Sequence, residues 1–171
     1  MNKDHISQSR LSGLIRAEYQ RLMCYAFYRL GSEEDAQDAV QDVFLKMSNI
    51  VSAKKSEGIV NLKNYLYRAL SNLCTTRVSR KHRVQNVSID SCFDLAETNE
   101  ESSEEEFLRI RRLLATLPEE QAEVIRLRIY GNNTFAEIAE ILGIPLPTVK
   151  SRFIYGLAKM RRSIEKDNGC I

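Results

Sequence analysis

Residues 134–153 read TFAEIAEILGIPLPTVKSRF, and the way this stretch divides decides the fold. Thr134 followed by Glu137 forms a capping box, in which each residue can satisfy the other's free backbone N–H, so a helix starts there. Ile138, Ala139 and Leu142 then share one face. Gly143 can adopt the left-handed conformation that closes a helix without a steric penalty. Neither Pro145 nor Pro147 can occupy a helix interior, but Pro147 suits a first turn. A second helix follows, with Val149, Phe153, Leu157, Met160 and Ile164 as its apolar stripe. Ala139 is small where two helices touch, Gly143 makes the turn, and Val149 plugs the second helix into the core. The pattern predicts a helix-turn-helix.

The second helix carries Thr148, Lys150, Ser151, Arg152 and Tyr155 near its start. A helix entering the major groove reads bases with its N-terminal residues. Lys and Arg can pair with guanine O6 and N7, while Ser and Thr bond bases or phosphates. Lys159, Arg161 and Arg162 lie further along and suit phosphate contact. The same pattern also describes a plain helical hairpin with a solvated basic face.

Working outward, the N-terminal part shows the same helical period. Leu11, Leu14, Ile15, Leu22, Met23, Ala26, Phe27 and Leu30 fall on one face, and Gly31 ends that helix. Ser32 offers an N-cap to a second helix, which buries Ala36, Ala39, Val40, Val43, Phe44 and Met47. After a break at 52–58, a third helix buries Leu62, Tyr65, Leu66, Ala69, Leu70 and Leu73, then enters the basic run TRVSRKHR (76–83). Residues 84–106 hold serines and acids without period and predict an extended linker. Helical pattern resumes at Phe107, and Pro118 suits the first position of a further helix. No strand alternation appears. The expected fold is all-α: two small helical domains, 1–83 and 107–171, joined by a flexible acidic linker, 84–106, with the C-terminal domain a helix-turn-helix.

Charge follows this division. Residues 1–83 hold 14 Lys/Arg against 8 Asp/Glu, residues 84–106 none against 8, and residues 107–171 hold 11 against 7. Two basic modules on an acidic tether suit nucleic acid better than the net charge of +2 suggests. The four cysteines are scattered, so they read as free thiols rather than disulfides or a zinc site. No metal site, cofactor or catalytic residue is expected, because no phosphate cradle, metal-ligand cluster or nucleophile–base pair is present. The absence of an apolar leader or spanning run predicts a cytoplasmic chain without membrane insertion.

The stretch LPEEQAEVIRLRIYGNNTFAEIAEILGIPLPTVKSRF (117–153) resembles the promoter −35 recognition domain of bacterial sigma factors, particularly the extracytoplasmic-function (ECF) group. YRLGSEEDAQDAVQDVFLKM (28–47) resembles that family's polymerase-binding segment, and NLKNYLYRALSNLCTTRVSRKHR (61–83) its −10 recognition and melting segment. The resemblance implies a non-enzymatic initiation factor whose partners are core RNA polymerase, promoter DNA and an anti-sigma factor. It implies −35 duplex contact by Thr148, Lys150, Ser151, Arg152, Tyr155 and Lys159. Strand holding at −10 would fall to Lys63, Asn64, Arg68, Asn72, Arg77, Arg80, Lys81 and Arg83. Tyr65 and Tyr67 are the available aromatics, and the loop around Lys54 and Lys55 would capture a base. Asp35, Asp38, Gln41, Asp42 and Phe44 would meet polymerase, the three aspartates on one exposed face. Carboxylates of the linker, Glu104–Glu106 among them, could enter a channel built for RNA phosphates. The chain departs from the family at Ala69-Leu70-Ser71-Asn72, where an isoleucine-alanine-arginine-asparagine run is common. A stand-alone helix-turn-helix regulator, or a sigma-like antagonist that occupies polymerase without initiating, are the other readings.

Overall fold

A computed structural model describes residues 8–53, 55, 58–85 and 101–169. These form α1 (Gln8–Leu30), α2 (Glu33–Ser52), α3 (Leu62–Gln85), α4 (Glu101–Ala115), α5 (Glu119–Ile129), α6 (Phe135–Leu142) and α7 (Leu146–Asn168). No strand occurs among the described residues.

The helix boundaries follow local chemistry. Gly31 at φ +79° closes α1, and the Ser32 hydroxyl accepts the Asp35 N–H at 3.2 Å to start α2. Pro118 stands at the N-cap of α5, one place earlier than its first-turn role predicts. Thr134 and Glu137 form the full capping box of α6, and Gly143, at φ +66°, closes it. Helix α4 begins at Glu101, inside the segment read as linker, so Glu104–Glu106 are helical rather than extended. A helix beginning with acids benefits from its own N-terminal dipole, a term the missing apolar period concealed. Residues 86–100 of the expected linker lie outside the described residues.

The N-terminal half packs α1, α2 and α3 around Leu22, Tyr25, Val40, Met47, Leu66 and Leu70. The C-terminal half packs α4 to α7, with Leu114, Leu117, Ala122 and Ile125 in a satellite cluster. The halves are not independent beads. Val124, Leu127, Ile138, Ile141 and Val149 of the second half belong to the same continuous core as the first. As a result α3 is covered on two faces. Leu62, Leu66 and Leu70 are buried as expected, and Asn64, Tyr67, Ser71 and Cys74 are buried as well.

One apolar expectation fails. Leu157 is exposed, and buried Gly156 takes the contact with α5. A Cβ on Gly156 would lie 2.7 Å from Ile125 Cδ1. The close approach of α7 to α5 therefore centres on Gly156 and rolls Leu157 outward. Gly156→Val should destabilise the C-terminal half by about 1–3 kcal/mol through overpacking, read as a lowered thermal midpoint. An unchanged midpoint would show that α7 can move away from α5 at no cost.

Candidate nucleic-acid and polymerase interface

Helix α7 presents its predicted reading residues outward. Lys150, Ser151, Tyr155 and Lys159 are exposed, and Thr148 and Arg152 are half-buried at the edge of the face. Ser151 Oγ donates to the Pro147 carbonyl at 2.9 Å, so its hydroxyl remains able to accept. Phe135 and Phe153 meet edge-to-face at 5.2 Å and fix the angle between α6 and α7. Ile154, 63% exposed, adds apolar area beside the expected Tyr155, 65% exposed.

The expected strand-holding residues of α3 fall into three groups. Lys63, Asn64 and Arg68 face the C-terminal half and are engaged by α6. Lys63 Nζ lies 3.1 Å from Glu137 Oε1. Asn64 Nδ2 donates to a Glu140 carboxylate oxygen. Arg68 Nε donates to the Ile141 carbonyl at 3.1 Å, and its Nη2 to the Glu140 carbonyl. Asn72 is exposed beside a shallow cleft of about 290 Å³ shared with Asp42 and Lys46. Arg77 and Lys81 turn toward α2, while Arg80 and Arg83 are exposed.

A cavity of about 630 Å³ opens beside this helix, lined among others by Lys55, Asn61, Asn64, Tyr65, Arg68 and Glu140. Lys54 lies outside the described residues. Tyr65 borders the cavity and packs partly into the core. Tyr67 is not available for stacking. It is fully buried, and its hydroxyl donates to Glu18 or to the Gly131 carbonyl, each 3.1 Å away.

On α2, Gln41 and Asp38 are exposed, and Phe44 is half-buried against Tyr19. Asp42 is exposed like Asp38, Asp35 is half-buried, and all three aspartates are ion-paired to α3. Arg77 Nη2 pairs with Asp38 at 2.8 Å and with Asp42, and Lys81 pairs with Asp35. Antiparallel packing of α2 and α3 brings together charges about forty positions apart, which helical periodicity within one segment cannot reveal. Leu45, 64% exposed, adds an apolar spot to α2 that no sequence pattern singled out.

The halves are joined by a buried polar cluster around Glu123. Its carboxylate accepts from Tyr25 Oη and from Ser71 Oγ at 2.8 Å, and pairs with Arg126 at 3.2 Å and Arg29 at 3.6 Å. Glu119 closes the cluster with 2.8 Å pairs to Arg29 and Arg126. Burial, then the Glu123 charge, push the Tyr25 hydroxyl well above its ordinary value, so it stays a donor. The same two causes push the Cys74 thiol up to about 12, which keeps it unreactive. Ser71 stands where the family often carries arginine, and here its hydroxyl serves this cluster. Around it, Tyr28 stacks on Tyr130 at 3.7 Å and Phe27 on Phe107 at 4.2 Å.

Two family profiles match the chain in this order: Sigma-70 region 2 over residues 14–84 and Sigma-70 region 4 over residues 113–162. The chain belongs to the sigma-70 family, in its extracytoplasmic-function group. It is 25% identical over 162 residues to the RNA polymerase sigma factor YlaC of Bacillus subtilis, covering 91% of this chain and 92% of that one. It is 27% identical over 150 residues to the ECF RNA polymerase sigma factor SigM of Mycobacterium tuberculosis, covering 87% and 74%. The fold is that of CnrH in its complex with the cytosolic domain of CnrY, at TM-score 0.71 and 21% identity over 94% of this chain and 91% of that one. It is also that of the sigma factor RpoE bound to the anti-sigma factor NepR from Bartonella quintana, at TM-score 0.67 and 18% identity over 90% and 96%. Region 2 thus corresponds to α1–α3 and region 4 to α5–α7 with the end of α4.

Among the described residues no group of His, Cys, Asp and Glu is arranged to hold a metal, and no helix is long and apolar enough to cross a membrane.

Removing Glu123 leaves two buried arginines and two buried hydroxyls without their shared acceptor. Glu123→Ala should cost about 3–5 kcal/mol of docking energy between the halves. Calorimetry of the variant should resolve two unfolding transitions where the parent shows one. A single transition at the parent's midpoint would mean that the cluster does not hold the halves together.

Proposed function

We propose that this chain is a transcription initiation factor that binds core RNA polymerase and directs it to promoters by reading a −35 duplex with α7 and holding a −10 single strand with α3. The observation that carries the reading is the exposed polar face at the start of α7, set by the Gly143 turn, in a chain that also has region 2. Lys150 and Arg152 supply the donors for guanine edges, and Lys159 suits a backbone phosphate. Tyr155 and Thr148 add carbon surface that a thymine methyl can meet.

At −10, the cavity beside Asn64, Tyr65 and Arg68 offers donors and an aromatic wall for an unstacked base, and the exposed Arg80 and Arg83 continue a basic track for the strand. On α2, Asp38, Gln41 and Asp42 form the polymerase-facing edge, with Leu45 as its apolar anchor. Pairing of Arg77 and Lys81 to the α2 aspartates makes the polymerase and strand surfaces neighbours. The protein makes no bond itself; polymerase does the chemistry. Such a factor works in the cytoplasm, and an anti-sigma protein is the partner expected to restrain it, as NepR and CnrY accompany the similar structures.

Lys150→Ala combined with Arg152→Ala should lower initiation at a cognate promoter by tenfold or more, since each base contact is worth about 1–3 kcal/mol. Binding to core polymerase should not change. The check is in-vitro transcription with core polymerase on fragmented source DNA, with transcript 5′ ends mapped. Undiminished initiation by the double variant would remove α7 from the reading. Polymerase binding without any initiation would favour an antagonist, and duplex binding without polymerase binding a stand-alone regulator.

A further inference from the structure

Two of the cations expected to hold a strand are drawn away from that task by the fold. Arg77 and Lys81 lie one turn apart on α3 and turn toward α2, which leaves the basic track to Arg80 and Arg83. Arg77 is the more committed of the two. Its side chain is only 21% exposed, and one nitrogen, Nη2, serves both Asp38 at 2.8 Å and Asp42 at 2.5 Å. Its Nη1 donates to the Asp35 backbone carbonyl at 3.3 Å, which fixes the guanidinium plane against α2. A backbone phosphate would reach Arg77 only by displacing these contacts. Lys81 differs: its ammonium meets Asp35 with more than half of the side chain exposed, and a pair of that kind contributes little.

The two aspartates held by Arg77 keep a second oxygen. Both ion pairs run to Oδ2, and no ion pair among the described residues takes either Oδ1. The Asp38 and Asp42 side chains are 64% and 51% exposed, on the α2 edge that also carries Gln41 and Leu45. Like charges one turn apart on a helix repel, so alone the two carboxylates would splay into separate rotamers. A single guanidinium between them removes the repulsion and holds both in one orientation. A partner that binds a pair already ordered does not bear the cost of ordering it. Arg77 therefore acts on binding in two opposed ways. It lowers the negative charge of the edge, which slows the approach of a basic partner, and it orders the carboxylates, which slows that partner's departure.

We propose that Arg77 is a positioning residue of the polymerase surface: it holds Asp38 and Asp42 in the geometry that a cationic surface of core polymerase grips, and it does not hold the −10 strand. This rests on the reading of the α2 edge as the polymerase-facing one. Ordering outweighs screening, so loss of the guanidinium weakens polymerase binding even though it leaves the edge more negative.

The test compares Arg77→Met with the parent, as full chains, by the association and dissociation rates of the labelled factor on core polymerase. Methionine keeps an unbranched stem between the helices and removes the guanidinium. Dissociation should be roughly fivefold faster or more, with an association rate equal to or above the parent's. Arg77→Lys, which keeps the charge but not the fork, should recover part of the loss. Lys81→Ala should stay within about twofold of the parent. In a chain carrying Asp38→Asn and Asp42→Asn, Arg77→Met should have no further effect, because nothing is left to position. Unchanged affinity for −35 duplex shows that the variants are folded. Equal or tighter polymerase binding by Arg77→Met would overturn the proposal and leave Arg77 as a screen of negative charge. Weaker capture of a −10 single strand by the assembled Arg77→Met complex would overturn it as well and return Arg77 to the strand. The polymerase reading is tested separately: the Asp38→Asn, Asp42→Asn chain must bind polymerase more weakly than the parent. If it does not, the α2 edge is not the polymerase-facing one, and the positioning role falls with it.

Discussion

The Glu123 carboxylate is the constraint on which the arrangement of this protein depends. It lies in α5, on the C-terminal side of the chain, yet most of its partners lie in the N-terminal half: Tyr25 and Arg29 on α1 and Ser71 on α3. A buried carboxylate without such partners would be expelled or protonated. With them it fixes the position of α5 against α1 and α3, and so where α6 and α7 sit. Removing one partner would be costly because it leaves buried charges unpaired, although well-packed apolar residues of the same volume could serve stability as well. It places α5, while the Gly143 turn separates the direction in which α6 faces from the direction in which α7 faces.

That separation has a functional side. Here the α6 edge is turned onto α3 and the α7 face is turned to solvent, a division set by a single glycine turn. The departures from the family pattern sit at this junction. A long cation at position 71 would have to share the buried space that the Ser71 hydroxyl and Glu123 now fill. The change at Ser71 is thus a property of domain docking as much as of DNA contact.

Local features were legible in the sequence because local chemistry makes them. The capping box at Thr134 and Glu137, the left-handed Gly143, the plug at Val149 and the N-cap at Ser32 all act within a few residues. What escaped was everything set by long-range packing. Asn64, Tyr67, Ser71 and Cys74 recur at i, i+3, i+7 and i+10 without a charge among them, a second stripe on α3 that signals a second covered face. The aspartates of α2 looked free because their partners, Arg77 and Lys81, lie on another helix. Leu157 looked buried because Gly156 offers no hydrophobic signal of its own, although its missing Cβ decides the contact. The start of α4 was hidden by acids that suit a linker and a helix N-terminus equally.

The docking of the two halves through Glu123 fixes the distance between α2 and α7 in solution. Pulsed electron paramagnetic resonance between spin labels on exposed positions of α2 and α7, in a background without native cysteines, measures it. A single narrow distance distribution in the free protein is the predicted result. A broad distribution in the free protein would contradict that docking and the role given to Glu123.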